Sequence, residues 1–339
     1  MYILPVKKGV TIKDIAKKLN MSVSTVSKAL SNHANISDLT KERVRGLAKD
    51  WNYVPNEAAR HFKQSKSFTL GVVIPDLIDQ FFVAAIRGVE EIAGKHKYQV
   101  IIAQSHEDAD KEEQIIKNLI SNRVDGVIVT ISKSTTKSDL FTQLEQNGIP
   151  VVFLTRSFGQ PIFNNVTADN IHAGSLAIDY LYRLGHRRIA HLMGPKMLST
   201  SHQRLEAYKK ALEKLKIEFD PQLLREVDFS EEKTHRAMKE LLKVKNPPTA
   251  FFVFKTYVSL DAINYIKIHH PKLLHKIDII GFGNLPLIKY LDTKPKASLE
   301  ENSYEMGLKA ASLLMKLINT PTESAPPVSI KIPCELIIH

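Results

Sequence analysis

Residues 10–30 of this chain read VTIKDIAKKLNMSVSTVSKAL, and their spacing indicates two short helices joined by a turn. In the first half, apolar residues recur at the interval of one helix face, and these are Ile12, Ile15, Ala16 and Leu19. Thr11 is placed to cap the start of this first helix. Asn20, a residue type that tolerates a left-handed backbone, follows its end.

Two further helices are predicted after that turn. One begins at Ser22 and runs to about Leu30, and the next runs from about Ser37, its capping residue, to Trp51. Two short helices joined by a tight turn and braced by a third form a helix-turn-helix, the arrangement of many DNA-binding proteins.

The charge of the chain is concentrated in the same region. The sequence of 339 residues has 47 basic and 36 acidic residues, a formal net charge of +11. Residues 1–67 contain thirteen of the basic residues and only five of the acidic ones. Such an excess is expected of a surface that binds a polyanion. On charge alone, a basic face that merely aids solubility is the alternative.

Composition argues against several other classes of protein. No apolar run approaches the roughly 20 residues that cross a bilayer, and residues 1–8 lack the apolar core of a signal peptide. One cysteine, Cys334, cannot form an intrachain disulfide. The sequence has no glycine-rich nucleotide loop, no nucleophile elbow and no histidine pair at metal-ligand spacing. We therefore expect a cytoplasmic protein that is not an enzyme and has neither a cofactor nor a metal.

From Phe68 onward, apolar runs alternate with amphipathic helical stretches. The predicted strands are 69–74, 99–103, 126–130, 150–154, 188–193, 249–254 and 278–281, with a last strand at 328–338. The predicted helices lie near 82–96, 109–121, 137–146, 170–184, 202–216, 231–243, 256–268 and 300–318. Apolar strands separated by helices indicate parallel sheets covered on both faces. This region is too long for one sheet, so we expect two α/β subdomains with a cleft between them.

The motifs of residues 10–30 closely resemble the DNA-binding head of the lactose/galactose repressor family. The resemblance continues in YVPNEAAR at 53–60, GVVIPD at 71–76 and GHRRIA at 185–190, and it spans nearly the whole chain. It implies an all-α helix-turn-helix head and a two-subdomain core like that of periplasmic binding proteins. It also implies a homodimer that binds a pseudo-palindromic operator in double-stranded DNA and, by family default, represses transcription in response to a small molecule.

The family pattern divides the chain into three predicted parts. The helix-turn-helix domain occupies residues 1–55, and a hinge helix and linker occupy 56–67. The effector-binding and dimerisation domain occupies 68–339, with the chain crossing between its subdomains near 162, 295 and 322.

The second helix supplies the residues expected to enter the major groove. Small polar residues let the backbone approach DNA, and longer donors reach base edges. The resemblance implies that Val23, Ser24 and Lys28 contact bases, Lys28 by donating to guanine, while the helix start at Ser22 suits a phosphate. The predicted DNA-binding residues are Thr11, Ser22, Val23, Ser24, Thr25, Ser27, Lys28, Tyr53, Asn56, Ala59, Phe62 and Lys63.

The hinge helix is predicted at residues 55–63, PNEAARHFK. So short a helix is not stable alone, so it should fold mainly when two copies meet on DNA. Where the family has a leucine that wedges into the minor groove, this sequence has Phe62, and a phenyl ring can also unstack a base step. Packing of Phe62 under the core is the alternative.

The resemblance places a small-molecule effector between the subdomains, beyond the carboxyl ends of the strands. Family members commonly have a guanidinium at the position of Arg204, and its planar set of donors suits hydroxyls and carboxylates. A surface arginine is the alternative. The predicted effector-binding residues are Phe81, Phe82, Thr155, Thr200, Arg204, Lys255 and Gly283.

The sequence departs from the family pattern in three places, one of which is a pair of residues. Family members often have aspartate at Thr155 and Gly283, and an Asn-Asp pair at Lys255 and Thr256. The loss of these acids and the gain of a lysine predict a more positive cleft. We therefore expect a sugar or sugar derivative that is anionic, such as a sugar phosphate or a sugar acid. The alternative is that Lys255 points away and the effector is neutral or absent.

Two other classes of protein fit the sequence less well than a regulator does. A solute-binding protein of a transport system shares the two-lobed core, but it would need an export signal and would have no basic head. An enzyme on an α/β core would need a catalytic arrangement that the sequence does not contain.

Overall fold

The computed structural model describes residues 10–54, 66–158, 162–320 and 326–339. Its contacts divide the chain into two compact units, one on each side of the Ser67–Phe68 junction. Each unit has a hydrophobic core of its own. Within the described ranges, no helix is both long enough and apolar enough to span a membrane.

The described part of the first unit is helical, as predicted. Its helices are α1 (Ile12–Leu19), α2 (Val23–Leu30) and α3 (Asp38–Asp50). Asn20 ends α1 in the left-handed conformation, with φ of 53°. The inward faces meet in one small core of Ile15, Ala16, Val26, Ala29, Val44 and Ala48. The helix-turn-helix prediction is confirmed.

Strands and helices alternate through the second unit. The strands are β1 (Thr69–Ile74), β2 (Gln99–Gln104), β3 (Gly126–Val129), β4 (Val151–Leu154), β5 (Asn164–Ala168), β6 (Ile189–Met193), β7 (Leu224–Glu226), β8 (Ala250–Val253), β9 (Asp278–Phe282), β10 (Ala297–Glu300), β11 (Ser329–Ile332) and β12 (Glu335–Ile338). The helices are α4 (Gln80–Lys95), α5 (Ala109–Ser121), α6 (Asp139–Gln146), α7 (Asn170–Arg183), α8 (Ser199–Lys214), α9 (Glu231–Leu241), α10 (Thr256–His269) and α11 (Ser303–Asn319).

The strands form two sheets, which confirms the predicted pair of α/β subdomains. Lobe 1 has the order β11-β5-β4-β3-β1-β2, with every pair parallel, and carries α4, α5, α6 and α11. Lobe 2 has the order β12-β10-β9-β8-β6-β7 and carries α7 to α10. Its pairs are parallel except for β10 with β12. The central strands β3, β4 and β8 are buried along their whole length.

The chain passes between the lobes at Asp169, at Glu301–Asn302 and at Pro333–Cys334. These passages lie several residues after the predicted positions 162, 295 and 322, because β5, β10 and β11 first complete their own sheets. The predicted strand at 328–338 is in fact two strands, β11 in lobe 1 and β12 in lobe 2. Pro333 has no amide hydrogen to continue the ladder, and the chain changes sheet there.

Helices α4 and α11 cross on lobe 1 with their backbones in contact. A Cβ atom on Gly88 of α4 would collide with the Tyr304 carbonyl oxygen, and one on Gly307 of α11 would collide with the Ala85 carbonyl oxygen. The crossing therefore requires glycine on both helices. Gly94 lies on the same helix as Gly88, but a Cβ atom there would meet nothing within 4 Å.

We expect Gly88→Ala to lower the free energy of unfolding by about 1–3 kcal/mol, since the added methyl forces the two helices apart. The matched change Gly94→Ala should raise it by up to about 1 kcal/mol, because alanine is the better helix former. Urea unfolding of the two variants measures both values. Equal effects at the two sites would contradict the close crossing.

His191 on β6 is a fully buried, neutral histidine. Its ring lies against those of Phe252 and Tyr208, with centroids 4.8 and 5.3 Å away. Its Nδ1 donates to the Phe252 carbonyl oxygen at 2.9 Å. Burial lowers the pKa of His191 from 6.5 to about 4. The folded protein therefore resists protonation at a pH where the unfolded chain accepts it.

Because of this shift, the free energy of unfolding decreases as the pH is lowered. Above about pH 6.5 the contribution is complete, and it is lost as the pH falls toward 4, with a total of about 3 kcal/mol. His191→Phe keeps the ring stack but removes the titrating group, so its free energy of unfolding should fall less between about pH 7 and pH 4.5. Urea unfolding at each pH tests this. Parallel curves for wild type and variant would rule out the contribution.

Candidate nucleic-acid interface and effector cleft

Side-chain caps fix the start of both helices of the helix-turn-helix. The Ser22 hydroxyl accepts from the Thr25 amide at 3.0 Å, and the two hydroxyl oxygens lie 2.8 Å apart. Thr11 and Asp14 form a reciprocal capping box at the start of α1. The first amides of a helix have no partner within it, so the exposed start of α2 is suited to a phosphate oxygen.

The outer face of α2 is exposed and mostly short-chained. Ser24 and Lys28, four residues apart, are exposed on one face of the helix. Val23 is 41% exposed on the same helix. Thr25 and Ser27 are half-buried, and the Thr25 hydroxyl contacts Ser22. The face therefore offers one long cationic donor, one hydroxyl and one apolar group, the set that reads base edges in the major groove.

Tyr53, a predicted DNA-binding residue, lies against the hydrophobic core of the first unit. Its side chain packs on the core of the head, and its amide donates to the Ala48 carbonyl oxygen at 2.8 Å. The remaining predicted DNA-binding residues lie outside the described residues, and these are Asn56, Ala59, Phe62 and Lys63.

In the second unit, a cleft lies between the lobes at the carboxyl ends of the strands. Thr155 follows β4, Lys255 comes shortly after β8, and Gly283 follows β9. All seven predicted effector residues line this cleft. Its volume is about 60 Å³, room for about four water molecules.

Arg204 is buried, and its donors are largely engaged. Its Nε donates to the Asn170 side-chain oxygen at 2.8 Å, and Nη2 donates to Glu301 at 2.6 Å. Nη1 donates to the Phe254 carbonyl oxygen. The guanidinium lies 3.5 Å from the centroid of the Phe282 ring. Burial raises the pKa of Glu301 and Arg204 opposes that rise, so the carboxylate depends on its partner for its charge.

The structure corrects the expectation that the cleft lacks acidic groups. Lys255 Nζ lies 2.9 Å from Asp79 of lobe 1, so it points into the cleft and is neutralised there. Arg156 donates to both oxygens of Glu107 at 2.9 Å. Burial would raise the pKa of Glu107, but Arg156 and Lys133 together outweigh burial and the pKa is lowered. Together with the Arg204–Glu301 pair, each of these three cations has a carboxylate partner.

Thr200 offers the clearest available polar contact in the cleft. The residue is 2% exposed, and its buried hydroxyl has no hydrogen-bond partner within the described residues. A buried hydroxyl without a partner is costly, and such groups call for an explanation. A ligand in the cleft could supply the missing partner.

Backbone conformation shapes the floor of the cleft. Gly283 has φ of 94°, which glycine adopts freely. Thr155 has φ of 57°, a conformation that is unfavourable for a β-branched residue. Its amide donates to the Val166 carbonyl oxygen at 2.8 Å, so the sheet itself holds Thr155 in this position.

Sequence reasoning missed several residues that line the cleft. Asp79 precedes the predicted Phe81 and caps α4, a signal that could have been found. Arg156 directly follows the predicted Thr155. Glu301 gave no local signal, because its partner Arg204 is 97 positions away in the sequence. Phe254 and Tyr257, which flank Lys255, also line the cleft.

A helix-turn-helix unit with an exposed polar recognition face and a two-lobed α/β core with a polar cleft define a class, the ligand-responsive transcription regulators. Residues 11–56 match the model of bacterial regulatory proteins of the lacI family. Residues 67–339 match the model of periplasmic binding proteins and the sugar-binding domain of the LacI family. The chain belongs to the LacI family and is a DNA-binding transcriptional regulator, which confirms the resemblance found in the sequence.

Named relatives agree with this assignment. The HTH-type transcriptional repressor CytR of Escherichia coli is 33% identical over 306 residues, covering 90% of this chain and 89% of the relative. Catabolite control protein A of Priestia megaterium is 29% identical, covering 93% and 94%. The Lac repressor dimer bound to operator and the anti-inducer ONPF has the same fold, with a TM-score of 0.83 at 22% identity and coverage of 97% and 98%.

Proposed function

We propose that this regulator is a cytoplasmic repressor that binds a pseudo-palindromic operator as a homodimer and responds to a small sugar-class effector. The observation that carries the DNA half is the outer face of α2, where Ser24 and Lys28 are exposed beside Val23 on a capped helix. The head adds the basic excess that a phosphate backbone attracts. The contacts predicted for Asn56, Ala59, Phe62 and Lys63 rest on the sequence.

An exposed apolar edge of lobe 1 supports the homodimer. Strand β2 is at the edge of its sheet, and its Ile101 and Ile102 are 45% and 39% exposed. The neighbouring loop adds Ile78, and its Leu77 amide donates to the Gln104 side chain of β2 at 2.9 Å. Exposed edge strands with apolar side chains invite pairing unless another surface covers them. A second copy of the chain would provide that cover.

The cleft supports an effector with hydroxyl groups and an apolar face. Aromatic rings at Phe81, Phe82 and Phe282 supply apolar contact, and the unpartnered Thr200 hydroxyl supplies a hydrogen bond. Sugars combine these two kinds of surface. An anionic sugar derivative, the class expected from the sequence, would have to displace Asp79 from Lys255, because this lysine is already paired.

The DNA half is tested by selecting bound duplexes from a random pool with the purified protein. A two-fold symmetric consensus is expected, with an affinity that falls steeply between about 50 and 200 mM salt. Lys28→Ala should weaken binding to the selected duplex by about 1–3 kcal/mol and relax the base preference at one position of each half-site. Fluorescence anisotropy measures both effects.

Lys239→Ala is the matched control for the DNA test, because it removes the same charge from the exposed face of α9. It should leave operator affinity unchanged. If no duplex is enriched at low salt, or if both lysine variants bind alike, the proposed interface is wrong.

The effector half is tested by a thermal-shift screen of neutral sugars, sugar phosphates and uronates. For any compound that stabilises the protein, Thr200→Val should reduce binding about five-fold or more, because a hydrogen bond to the ligand is worth about 1 kcal/mol or more. Without ligand the variant should be at least as stable as wild type, since it loses an unpartnered buried hydroxyl. Isothermal titration calorimetry gives the affinities.

Ser201→Ala is the matched control for the effector test. Its hydroxyl is also buried and without a partner in the described chain, but it does not line the cleft. It should bind the compound like wild type. If only neutral sugars stabilise the protein, the effector is not anionic. If Thr200→Val and Ser201→Ala lose affinity equally, Thr200 does not contact the effector.

A further inference from the structure

A second recess lies in lobe 2, at the end of the sheet opposite to the effector cleft. Asp278 begins β9 and Lys296 directly precedes β10, and both residues line this recess. These are the amino ends of parallel strands, whereas the effector cleft lies at their carboxyl ends. The recess has a volume of about 240 Å³. Drug-sized molecules occupy sites of about 300–1,000 Å³, so this recess suits a more compact ligand.

The floor of the recess is apolar. It is formed by four isoleucines, of which Ile263 and Ile266 belong to α10, Ile277 precedes β9 and Ile279 lies within β9. Ile263, Ile266 and Ile279 are buried. An apolar group that covers such a floor gains free energy in proportion to the area removed from water. A ligand with an apolar portion is therefore favoured.

Asp278 is held beside this floor by a chain of hydrogen bonds. His186 of the GHRRIA motif lies between two partners, with Nδ1 2.9 Å from the Thr249 hydroxyl oxygen and Nε2 3.0 Å from Asp278 Oδ2. The His186 side chain is only 13% exposed, so these two contacts fix its ring. A carboxylate has about four acceptor sites, and Asp278 can therefore accept further hydrogen bonds through Oδ1.

Two lysines line the same recess without a carboxylate partner. Lys296 is half-buried and Lys294 is exposed, and neither forms an ion pair within the described ranges. Asp292, on the exposed rim of the recess, is not paired with either of them. A partly desolvated ammonium group without a counter-charge is costly. Lys296 is therefore the cation that gains most from an anionic group in the recess.

Asp278 and Lys296 lie on adjacent strands but do not neutralise each other. The register of β9 and β10 pairs Ala297 with Ile280, so Lys296 and Asp278 stand one position out of register. Successive side chains of a strand point to opposite faces of the sheet, which directs these two side chains to different sides. Both charges remain available to a ligand at the end of the sheet.

His339, on the rim of the recess, contributes no charge at neutral pH. Its Nε2 lies 2.8 Å from the Ser298 hydroxyl oxygen. Burial and the nearby Lys294 lower the pKa of His339, so its ring is neutral at pH 7. Positive charge at this rim therefore comes chiefly from the two lysines.

We propose that this recess binds a free α-amino acid with an apolar side chain. The carboxylate of the amino acid pairs with Lys296, its ammonium group donates to Asp278, and its side chain packs on the isoleucine floor. The site is separate from the effector cleft and shares no residue with it. The regulator thus takes a second small molecule, whose chemistry differs from that of a sugar.

A ligand with a single charge would leave one side of the recess unsatisfied. A simple anion would bring its charge toward Asp278, and a simple cation would bring its charge toward Lys296. Like charges at close range repel each other, and removing them from water adds a further cost. An amino acid has both charges on one carbon atom, beside its side chain, so it satisfies Asp278, Lys296 and the apolar floor together.

The proposal is tested with the full-length protein and four amino acids, namely L-leucine, L-isoleucine, L-methionine and L-phenylalanine. We expect at least one of them to raise the Tm and to give a saturable heat in isothermal titration calorimetry. Analogues that lack the ammonium group or the carboxylate (isocaproate and isopentylamine for leucine) should bind about ten-fold or more weakly, because each loses a hydrogen bond between charged groups. If none of the four amino acids binds below about 10 mM, the proposal is overturned.

Two variants locate the bound amino acid. Lys296→Met keeps the aliphatic stem and removes the ammonium group, while Asp278→Asn keeps an acceptor for His186 and removes the charge. Each should weaken binding about ten-fold or more. Lys296→Met has no ion pair to lose, so it should unfold in urea like wild type and keeps the test decisive even where Asp278→Asn lowers stability.

Lys272→Met is the matched control, since it removes an exposed lysine of the same lobe that does not line the recess. This variant, and Thr200→Val in the effector cleft, should bind the amino acid like wild type. If Lys296→Met also binds it like wild type, or if Thr200→Val alone weakens binding, the amino acid is bound elsewhere and the proposal is overturned. Neither sugar nor DNA is present in this measurement, so its outcome is independent of the proposed function.

Discussion

The buried charge of Arg204 is the constraint on which the arrangement of the effector core depends. A guanidinium does not lose its proton in a protein, so a buried one needs a partner for its charge. Glu301 supplies that partner at the passage where the chain leaves lobe 2 for lobe 1. Asn170, which accepts from Nε, directly follows the earlier passage at Asp169. One side chain therefore ties together two places where the chain changes lobe, next to the cleft that these passages flank.

Charge pairing also determines what the cleft can recognise. Arg156, Arg204 and Lys255 each form an ion pair with a carboxylate, so the site has no unpaired cation among these three to bind an anion. Breaking a buried pair leaves an uncompensated charge, which costs far more than the pair itself contributes. A ligand therefore gains more from unused groups, such as the Thr200 hydroxyl and the aromatic rings, than from competing for Arg204. Lys255 and Asp79 are the most exposed of the three pairs, so a ligand would separate them at a lower cost than either of the others.

The sequence predicted what local physics determines. The capping residues Thr11 and Ser37 and the apolar strands β1, β3 and β4 were all readable, since caps and apolar runs act over a few residues. The strands β5, β7 and β10 were not predicted, because NNVTA, LRE and ASLE are too polar to stand out. The seven cleft residues came from family positions, but the charge balance of the cleft was misjudged because Asp79 and Glu301 also line it. The sequence alone did not pair Lys255 with Asp79, because Asp79 lies 176 positions earlier and only the folded chain brings the two side chains together.

Three of the unfavourable backbone conformations of the core lie where the lobes meet. Thr155 follows the last residue of β4 at the cleft, Phe229 bridges to lobe 1, and Asn302 lies at a passage between lobes, all with φ between 53° and 76°. Asparagine tolerates this conformation, whereas threonine and phenylalanine do so only under constraint. Contacts from both lobes hold Phe229 in this conformation, because Lys133 and Arg156 of lobe 1 lie near its ring and Phe254 of lobe 2 stacks on it.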